Sequence, residues 1–119
     1  MIYQEFNEAL LEAIDSAFSS LGKSCRRALY FHLETTFRLP RRQIPERPEE
    51  FDEALKTIFK RGAAFLEKLI LKKLCKMLGV SAVEDEALDF VESISIIRNI
   101  SSSSVRARLE SFNLSAGKD

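Results

Sequence analysis

The stretch PEEFDEALKTIFKRGAAFLEKLILKKLCKMLG, residues 48–79, decides the fold because a single helical period runs through it. It opens with Pro48 and two glutamates, which suit a helix start, and it closes with Gly79, which suits a helix end. The pattern predicts one long helix over about 49–78 with a broad apolar side. Residues on that side recur at alternating spacings of four and three: Phe51, Leu55, Ile58, Gly62, Phe65 and Leu69.

Gly62 is the position in this stretch where a bend is most easily accommodated. With Ala63 and Ala64 it forms a thin patch that another helix backbone can approach closely. Glycine there costs about 1 kcal/mol of helix propensity relative to alanine, so we expect packing to compensate. A straight helix and a helix bent near Gly62 both fit the sequence.

Two further helices are predicted before this stretch, over residues 2–20 and 24–37. The first has apolar residues at helical spacing on one side and four acids, Glu5, Glu8, Glu12 and Asp15, on the other. Such a clean division is typical of a helix that packs one face on a core. The short link between the two helices predicts that they form an antiparallel hairpin.

Residues 38–48 form the only linker and contain all three prolines. Because prolines fix the backbone and remove hydrogen-bond donors, we expect an extended, stiff segment, with Leu39 and Ile44 as its anchors in the core. Four arginines also lie here: Arg38, Arg41, Arg42 and Arg47.

A fourth helix is predicted over about 84–98, although the β-branched residues between Ile94 and Ile100 also allow a strand-like ending. We therefore expect an all-α, four-helix bundle-like single domain over residues 1–100. The serine-rich residues 101–119 are predicted to be a weakly ordered tail.

Charge is balanced overall but segregated along the chain. The 119 residues carry 18 basic and 18 acidic side chains, so no net field draws the protein to nucleic acid or to an anionic membrane. Counted by segment, residues 1–21 carry −4, residues 22–80 carry +7 and residues 81–119 carry −3. An acidic first helix and a basic middle predict electrostatic complementarity within one subunit or between subunits.

The sequence predicts a cytoplasmic protein without a membrane span. No apolar run reaches the ~18–20 residues that a span needs, and acids near the N-terminus do not fit a signal peptide. Cys25 and Cys75 lie far apart without paired spacing, which favours buried thiols in a reducing compartment; a single bridge between them stays an alternative.

Catalysis, cofactors and metals find no support in the sequence. His32 is the only histidine, and with Cys25 seven residues earlier it offers two ligands where structural zinc needs four. A Cys–His nucleophile pair would also need an orienting group and an oxyanion donor, and neither is indicated. We expect no enzyme activity; a small-ligand or anion pocket near His32 and Cys25 is kept as an alternative.

Basic residues of the middle segment predict a surface for an anion or a partner. The arginines Arg38, Arg41, Arg42 and Arg47 could join Lys68, Lys72 and Lys76, which recur every four residues on one helix. A nucleic-acid-associated regulator is an alternative. Such a protein usually has exposed aromatic residues, whereas the aromatic residues here recur at the spacing of a core.

The long apolar side also predicts a homodimer. Burying about 1,000 Å² more apolar surface would contribute on the order of 25 kcal/mol before entropic and desolvation losses. Dimerisation would therefore stabilise a small domain. The long segment exceeds the first two helices in length, and its far end is expected to overhang them.

Several strings in the middle of the chain are distinctive: Leu21-Gly22-x-Ser24, Tyr30-Phe31-His32-Leu33-Glu34, Ile44-Pro45, Pro48-Glu49-x-Phe51, Ala54-Leu55, Ile58-Phe59, Gly62-Ala63, Leu66-Glu67 and Ile70. Together they resemble a small archaeal helical family, the Nitrosopumilus-type output domain. The similarity covers about residues 6–79 and implies an all-helical, non-enzymatic, regulatory or interaction domain, with no ligand or catalytic residue. The leading hypothesis is thus a self-associating protein-interaction or signal-output module.

Overall fold

The computed structural model describes residues 2–80 and 88–101, and every regular element in that part of the chain is helical. The all-α prediction is therefore confirmed. The elements are α1 (Ile2–Ser19), α2 (Lys23–Thr35), a 3-10 helix (Arg41–Glu46), α3 (Pro48–Phe59), α4 (Gly62–Leu78) and α5 (residues 90–101).

The last described helix settles part of the prediction for the C-terminal region. Residues 90–101 are helical throughout, so the strand-like ending between Ile94 and Ile100 is wrong. Ser101 belongs to this helix and is buried, although we had expected it to begin the tail. The predicted helix start at residue 84 and the remainder of the tail, 102–119, lie outside the described residues.

The single long helix over 49–78 is wrong and the alternative, a break near Gly62, is confirmed, because the chain turns between α3 and α4. Lys60 adopts a positive φ of 52°, which residues other than glycine rarely adopt. Its N–H donates to the Lys56 carbonyl at 2.8 Å, the hydrogen bond that ends α3. A straight helix would place Asp52 and Glu67, fifteen residues apart, about 22 Å from each other. The turn instead brings their side chains together, so that both helices share one core.

Gly62 has a different role from the predicted one. It is the exposed first residue of α4, and a Cβ added there would meet only the Cβ of Phe59, at an ordinary 3.7 Å. No helix therefore needs a glycine at this position for close approach. The chain turns two residues earlier, and the buried small residue is Ala63.

The turn also changes which side of α4 is buried. Phe51, Ala54 and Leu55 of α3 are in the core as predicted, but Phe65 of α4 is 77% exposed and Leu69 is half-buried. The prediction that Phe65 continues the buried side is therefore wrong. The core side of α4 is formed by Ala63, Leu66, Ile70 and Leu74.

Helix α1 is the centre of the core. It packs most extensively against α4 and also contacts α2 and the 3-10 helix. Between α1, α3 and α5, the Phe51 ring lies 6.3 Å from the Phe18 ring and 6.0 Å from the Phe90 ring, centroid to centroid. The fully buried side of α1 consists of Phe6, Leu10, Ala13, Ile14, Ala17 and Phe18.

The linker is helical where an extended segment was predicted. Residues 41–46 form the 3-10 helix with Pro45 inside it, because proline's φ of about −65° lies within the range of that helix. The anchors Leu39 and Ile44 are fully buried, as predicted. The Arg98 guanidinium of α5 donates to the Pro45 carbonyl at 2.8 Å, which ties the linker to α5.

Phe51 and Phe65 provide a matched test of this fold. A continuous helix over 49–78 would bury both rings on one side, whereas the turn buries only Phe51. We expect Phe51→Ala to lower the free energy of unfolding by about 3–5 kcal/mol, because it opens a core cavity. Phe65→Ala should change it by less than about 0.5 kcal/mol, because the ring is exposed. Urea unfolding followed by circular dichroism measures both, and equal losses would contradict the turn at Lys60.

Candidate functional site

The outward side of α4 combines cations with an exposed aromatic ring. Its members recur at spacings of three and four from the turn to the end of the helix, and all are exposed except the half-buried Leu69. We call this side the basic face, and it consists of Arg61, Phe65, Lys68, Leu69, Lys72 and Lys76.

The positive charge of the basic face is not neutralised within the described part of the chain. The ion pairs among residues 2–80 and 88–101 join Arg41 to Asp15, Arg47 to Glu50 and Lys56 to Asp52, and none includes a residue of the basic face. The only acid of α4, Glu67, is buried on the opposite side. An anionic surface is therefore the electrostatically matched partner for this face.

The predicted basic residues divide into two groups. Lys68, Lys72 and Lys76 lie together on the exposed basic face, as the spacing indicated. Two of the linker arginines are instead engaged in the fold: Arg41 pairs with Asp15, and Arg47 pairs with Glu50 and donates at 2.9 Å to the Arg38 carbonyl. The other two, Arg38 and Arg42, are exposed on a linker that packs against α1, α2 and α3.

Asp15 is the centre of a polar network that joins α1, α2 and the 3-10 helix. Arg41 donates to its carboxylate twice, from Nε at 3.0 Å and from Nη2 at 2.5 Å, and the Tyr30 hydroxyl donates to the same carboxylate. The Tyr30 ring lies 5.2 Å from the Phe18 ring. Two charge-assisted bonds in a fork arrangement are strong for their size, so this network fixes how the first three elements meet.

The network's groups have fixed charge states at neutral pH. Burial by itself would raise the pKa of Asp15, but the bonds from Arg41 and Tyr30 outweigh it and hold that pKa below its ordinary value. Burial and the bond to Asp15 raise the pKa of Tyr30 above its ordinary value. The hydrogen bond between a charged Asp15 and a neutral Tyr30 therefore stabilises the fold and is not poised for proton transfer.

A second buried polar group lies where α3 meets α4. Asp52 and Glu67 are 7% and 6% exposed, and Lys56 Nζ donates to Asp52 Oδ2 at 2.9 Å. Burial, followed by the hydrogen bond with Asp52 and its negative charge, raises the pKa of Glu67 to about 9. At neutral pH Glu67 is thus a neutral proton donor to Asp52, whose charge Lys56 balances.

His32 and Cys25 lie on α2 without forming a site with each other. His32 is exposed, its Nδ1 lies 3.0 Å from Thr36 Oγ1, and its ring stands edge-on to Phe37 at 5.4 Å. Cys25 is half-buried about two turns earlier. Among the residues that the structure describes, no three side chains of the metal-binding types come together. A ligand pocket near His32 stays an untested prediction.

Sequence reasoning missed Arg61 and Phe65 as members of the candidate site. Under the assumption of one continuous helix, Phe65 falls in line with Phe51 and is counted as core. Within α4 alone, however, Ala63, Leu66, Ile70 and Leu74 make the more regular apolar side, and Phe65 then falls with the lysines. The apolar spacing of residues 62–78 taken alone therefore indicates the basic face.

Comparison with protein-family models, with curated proteins and with solved structures finds no match to this chain. The similarity to the archaeal output domain therefore stays a prediction. A membrane-crossing helix would need greater length and apolarity than any of the described helices has.

The Asp15 network generates a first stability prediction. Asp15→Asn should lower the free energy of unfolding at neutral pH by about 1–2 kcal/mol, since Arg41 and Tyr30 lose a charged acceptor. Because folding lowers the pKa of Asp15, this residue stabilises the fold at pH values above its unfolded pKa of 3.8. That stabilisation is lost as the pH falls below this value. Urea unfolding at neutral and acidic pH measures both effects.

Glu12→Gln is the control for this experiment, since Glu12 is an exposed acid of the same helix that lies in no described ion pair. It should leave stability nearly unchanged. If Asp15→Asn matched Glu12→Gln at neutral pH, the network would not hold the three elements together.

The buried pair of Glu67 and Asp52 generates a prediction in which stability depends on pH in the opposite direction. The pKa of Glu67 rises from 4.5 when unfolded to about 9 when folded, so the native state holds an extra proton and stability falls as pH rises between these values. Glu67→Gln keeps a neutral donor and removes that loss. We expect the variant to be more stable at mildly alkaline pH, by on the order of 1–3 kcal/mol, and less dependent on pH.

Thermal melts from about pH 5 to pH 9 would show the difference, with Glu53→Gln, an exposed acid of α3, as the control. An unchanged pH dependence in Glu67→Gln would mean that Glu67 is ionised in the native protein.

Proposed function

We propose that this protein is a non-enzymatic interaction module whose basic face binds an acidic surface on a protein partner. The observation that carries the proposal is Phe65, which is 77% exposed and lies among four cations without a described ion-pair partner. Signal output or regulation in the cytoplasm, without chemistry at a catalytic site, is the role that fits such a module.

An exposed aromatic ring surrounded by charge has the layout of a small protein interface. Interfaces concentrate aromatic residues at a desolvated centre and place polar groups around the rim. Full burial of a phenylalanine side chain contributes about 1.5–3 kcal/mol, so Phe65 supplies an anchor. The surrounding lysines and Arg61 would speed the encounter with an acidic partner and select its orientation.

A protein partner fits the whole molecule better than a nucleic acid does. The net charge is zero, and α1, which packs along α4, exposes three acids and carries no base. The molecule as a whole therefore has no positive field that would attract a long polyanion. The resemblance of residues 6–79 to the archaeal output domain supports the same class of function.

Nucleic-acid binding is the second candidate because the expectation that all aromatics lie in the core is wrong. An exposed ring between lysines can stack on a base while the lysines contact phosphates. Phe31 of α2, at 69% exposed and one turn after Arg27, gives a second surface ring near a cation.

Direct binding to a defined acidic probe tests the proposal. The probe is a fluorescein-labelled helical peptide of about 20 glutamate and leucine residues with its leucines on one side. Fluorescence anisotropy at about 50 mM salt should show saturable binding to the wild type. Lys72→Glu and Phe65→Ser should each weaken it at least about tenfold, which corresponds to 1.4 kcal/mol.

Lys23→Glu is the matched control, since it makes the same charge change at an exposed lysine of α2 and should bind within about twofold of the wild type. A gel shift with duplex DNA at low salt completes the experiment. DNA retardation without peptide binding would favour the second candidate, and binding to neither probe would contradict an anion-recognising face.

A further inference from the structure

We propose that this protein forms a weak homodimer in which the α2 helices of two copies pack antiparallel, with Phe31 at the centre of the contact. The inference goes beyond the proposed function, because it uses no residue of the basic face. It also needs a different surface from the dimer that the sequence suggested, since the apolar side of α4 is packed against α1 and cannot meet a second subunit.

Helix α2 is the least buried helix in the described part of the chain. Only Leu29 and Leu33 of its thirteen residues are buried, and its main contacts are with α1 and the 3-10 helix. On its outward side the Phe31 ring is 69% exposed. Aromatic rings are concentrated at the centres of protein interfaces, so Phe31 marks α2 as a contact surface.

The residues around Phe31 allow a second helix to approach closely. Ser24, Ala28 and Thr35 are small and exposed, and with Phe31 they recur at spacings of four and three along one side of α2. The Thr35 hydroxyl already donates to the Phe31 carbonyl at 2.7 Å, so covering it would leave no donor without a partner. We call this side the α2 face, and it consists of Ser24, Arg27, Ala28, Phe31, Glu34 and Thr35.

The α2 face carries one base and one acid, placed on either side of the ring. Arg27 lies one turn before Phe31 and Glu34 one turn after it, and both are exposed. They are about 20° apart around the helix axis and about 10 Å apart along it, farther than the residues three or four apart that contact each other on a helix. Neither forms an ion pair or a side-chain hydrogen bond with any described residue.

The position of Glu34 is not explained by the stability of α2 itself. This acid lies in the last turn, where the negative end of the helix dipole disfavours it, and the first turn contains no acid. The charges of α2 thus run against its own dipole. An antiparallel copy of α2 presents the same charges in the reverse order, which is the arrangement that offsets them.

A two-fold axis perpendicular to α2 makes the α2 face complementary to itself. Placed midway between Arg27 and Glu34, beside Phe31, the axis sets Arg27 of one subunit opposite Glu34 of the partner subunit, and it does so twice. The two Phe31 rings meet at the centre, where aromatic pairs attract each other. A parallel pair would instead set like charges opposite each other. Because the whole face lies on one side of one helix, a single partner can cover it.

The other bases of α2 lie outside this contact. Arg26 is about 140° around the helix from Phe31. It donates to Ser19 Oγ of its own subunit at 3.3 Å. Lys23 begins the helix, one turn farther from the centre than Arg27, where solvent and salt screen its charge. One helix from each subunit buries less than the roughly 800 Å² per partner of a standard interface, so we expect a dissociation constant on the order of 10–100 μM.

Sedimentation velocity at about 150 mM salt and about 2–500 μM protein tests the dimer. The wild type should change from monomer to dimer across this range. Phe31→Ser should raise the dissociation constant at least about tenfold, because it removes the centre of the contact. Arg27→Glu and Glu34→Arg should each do the same, because each sets like charges opposite each other in both contacts.

The double variant Arg27→Glu/Glu34→Arg is the decisive sample. It exchanges the two charges, so each contact regains a base opposite an acid, and it should dimerise within about threefold of the wild type. Phe65→Ser makes the substitution used at Phe31 on α4 instead. It should dimerise like the wild type although it weakens binding of the acidic peptide. Thermal melts verify that every variant is folded.

A wild type that stays monomeric up to about 500 μM would overturn the inference, and so would a double variant as dissociated as the two single ones. A dimer that Phe31→Ser leaves intact would use another surface and would overturn it equally. None of these results bears on the basic face, which the peptide experiment tests separately.

Discussion

The reversal of the chain at Lys60 and Arg61 determines which side of α4 is buried, and the surface of the protein follows from that choice. Once α3 turns back on α4, Leu66, Ile70 and Leu74 pack against α1, and the lysines are carried to the outside together with Phe65. A continuous rod would have buried Phe65 with Phe51. The turn thus creates the core and the basic face in a single step.

Most charges inside or near the core are matched where they occur. Arg41 neutralises Asp15, Lys56 neutralises Asp52, and Glu67 avoids ionisation by keeping its proton. Among the exposed charges, those of α1 are all acids and those on the outward side of α4 are all bases. Because the buried charges are balanced by their neighbours, the exposed acids of α1 and bases of α4 are charges that can act in binding.

The sequence predicted the helices well and the turn poorly, for identifiable physical reasons. Amphipathic spacing located α1 and α2 to within about two residues, as it does when one apolar side meets one core. The turn depends on a lysine with positive φ, which has no sequence signature, so the bend that the sequence allowed near Gly62 could be placed only to within two residues. The side-chain bonds of Asp15 and Glu67 depend on residues 15–26 positions away, which no local pattern reveals. For the site, regular spacing found the lysines, but Phe65 required the turn.

The orientation of Phe65 therefore shows whether the chain reverses at Lys60 and Arg61. The chain contains no tryptophan, so Phe65→Trp would make a single fluorescent reporter on the basic face. At low protein concentration and about 500 mM salt, which favours the free subunit, we expect water-exposed emission and strong quenching by acrylamide. Blue-shifted emission protected from acrylamide under those conditions would place this side chain in the core and contradict both the turn at Lys60 and the exposed basic face.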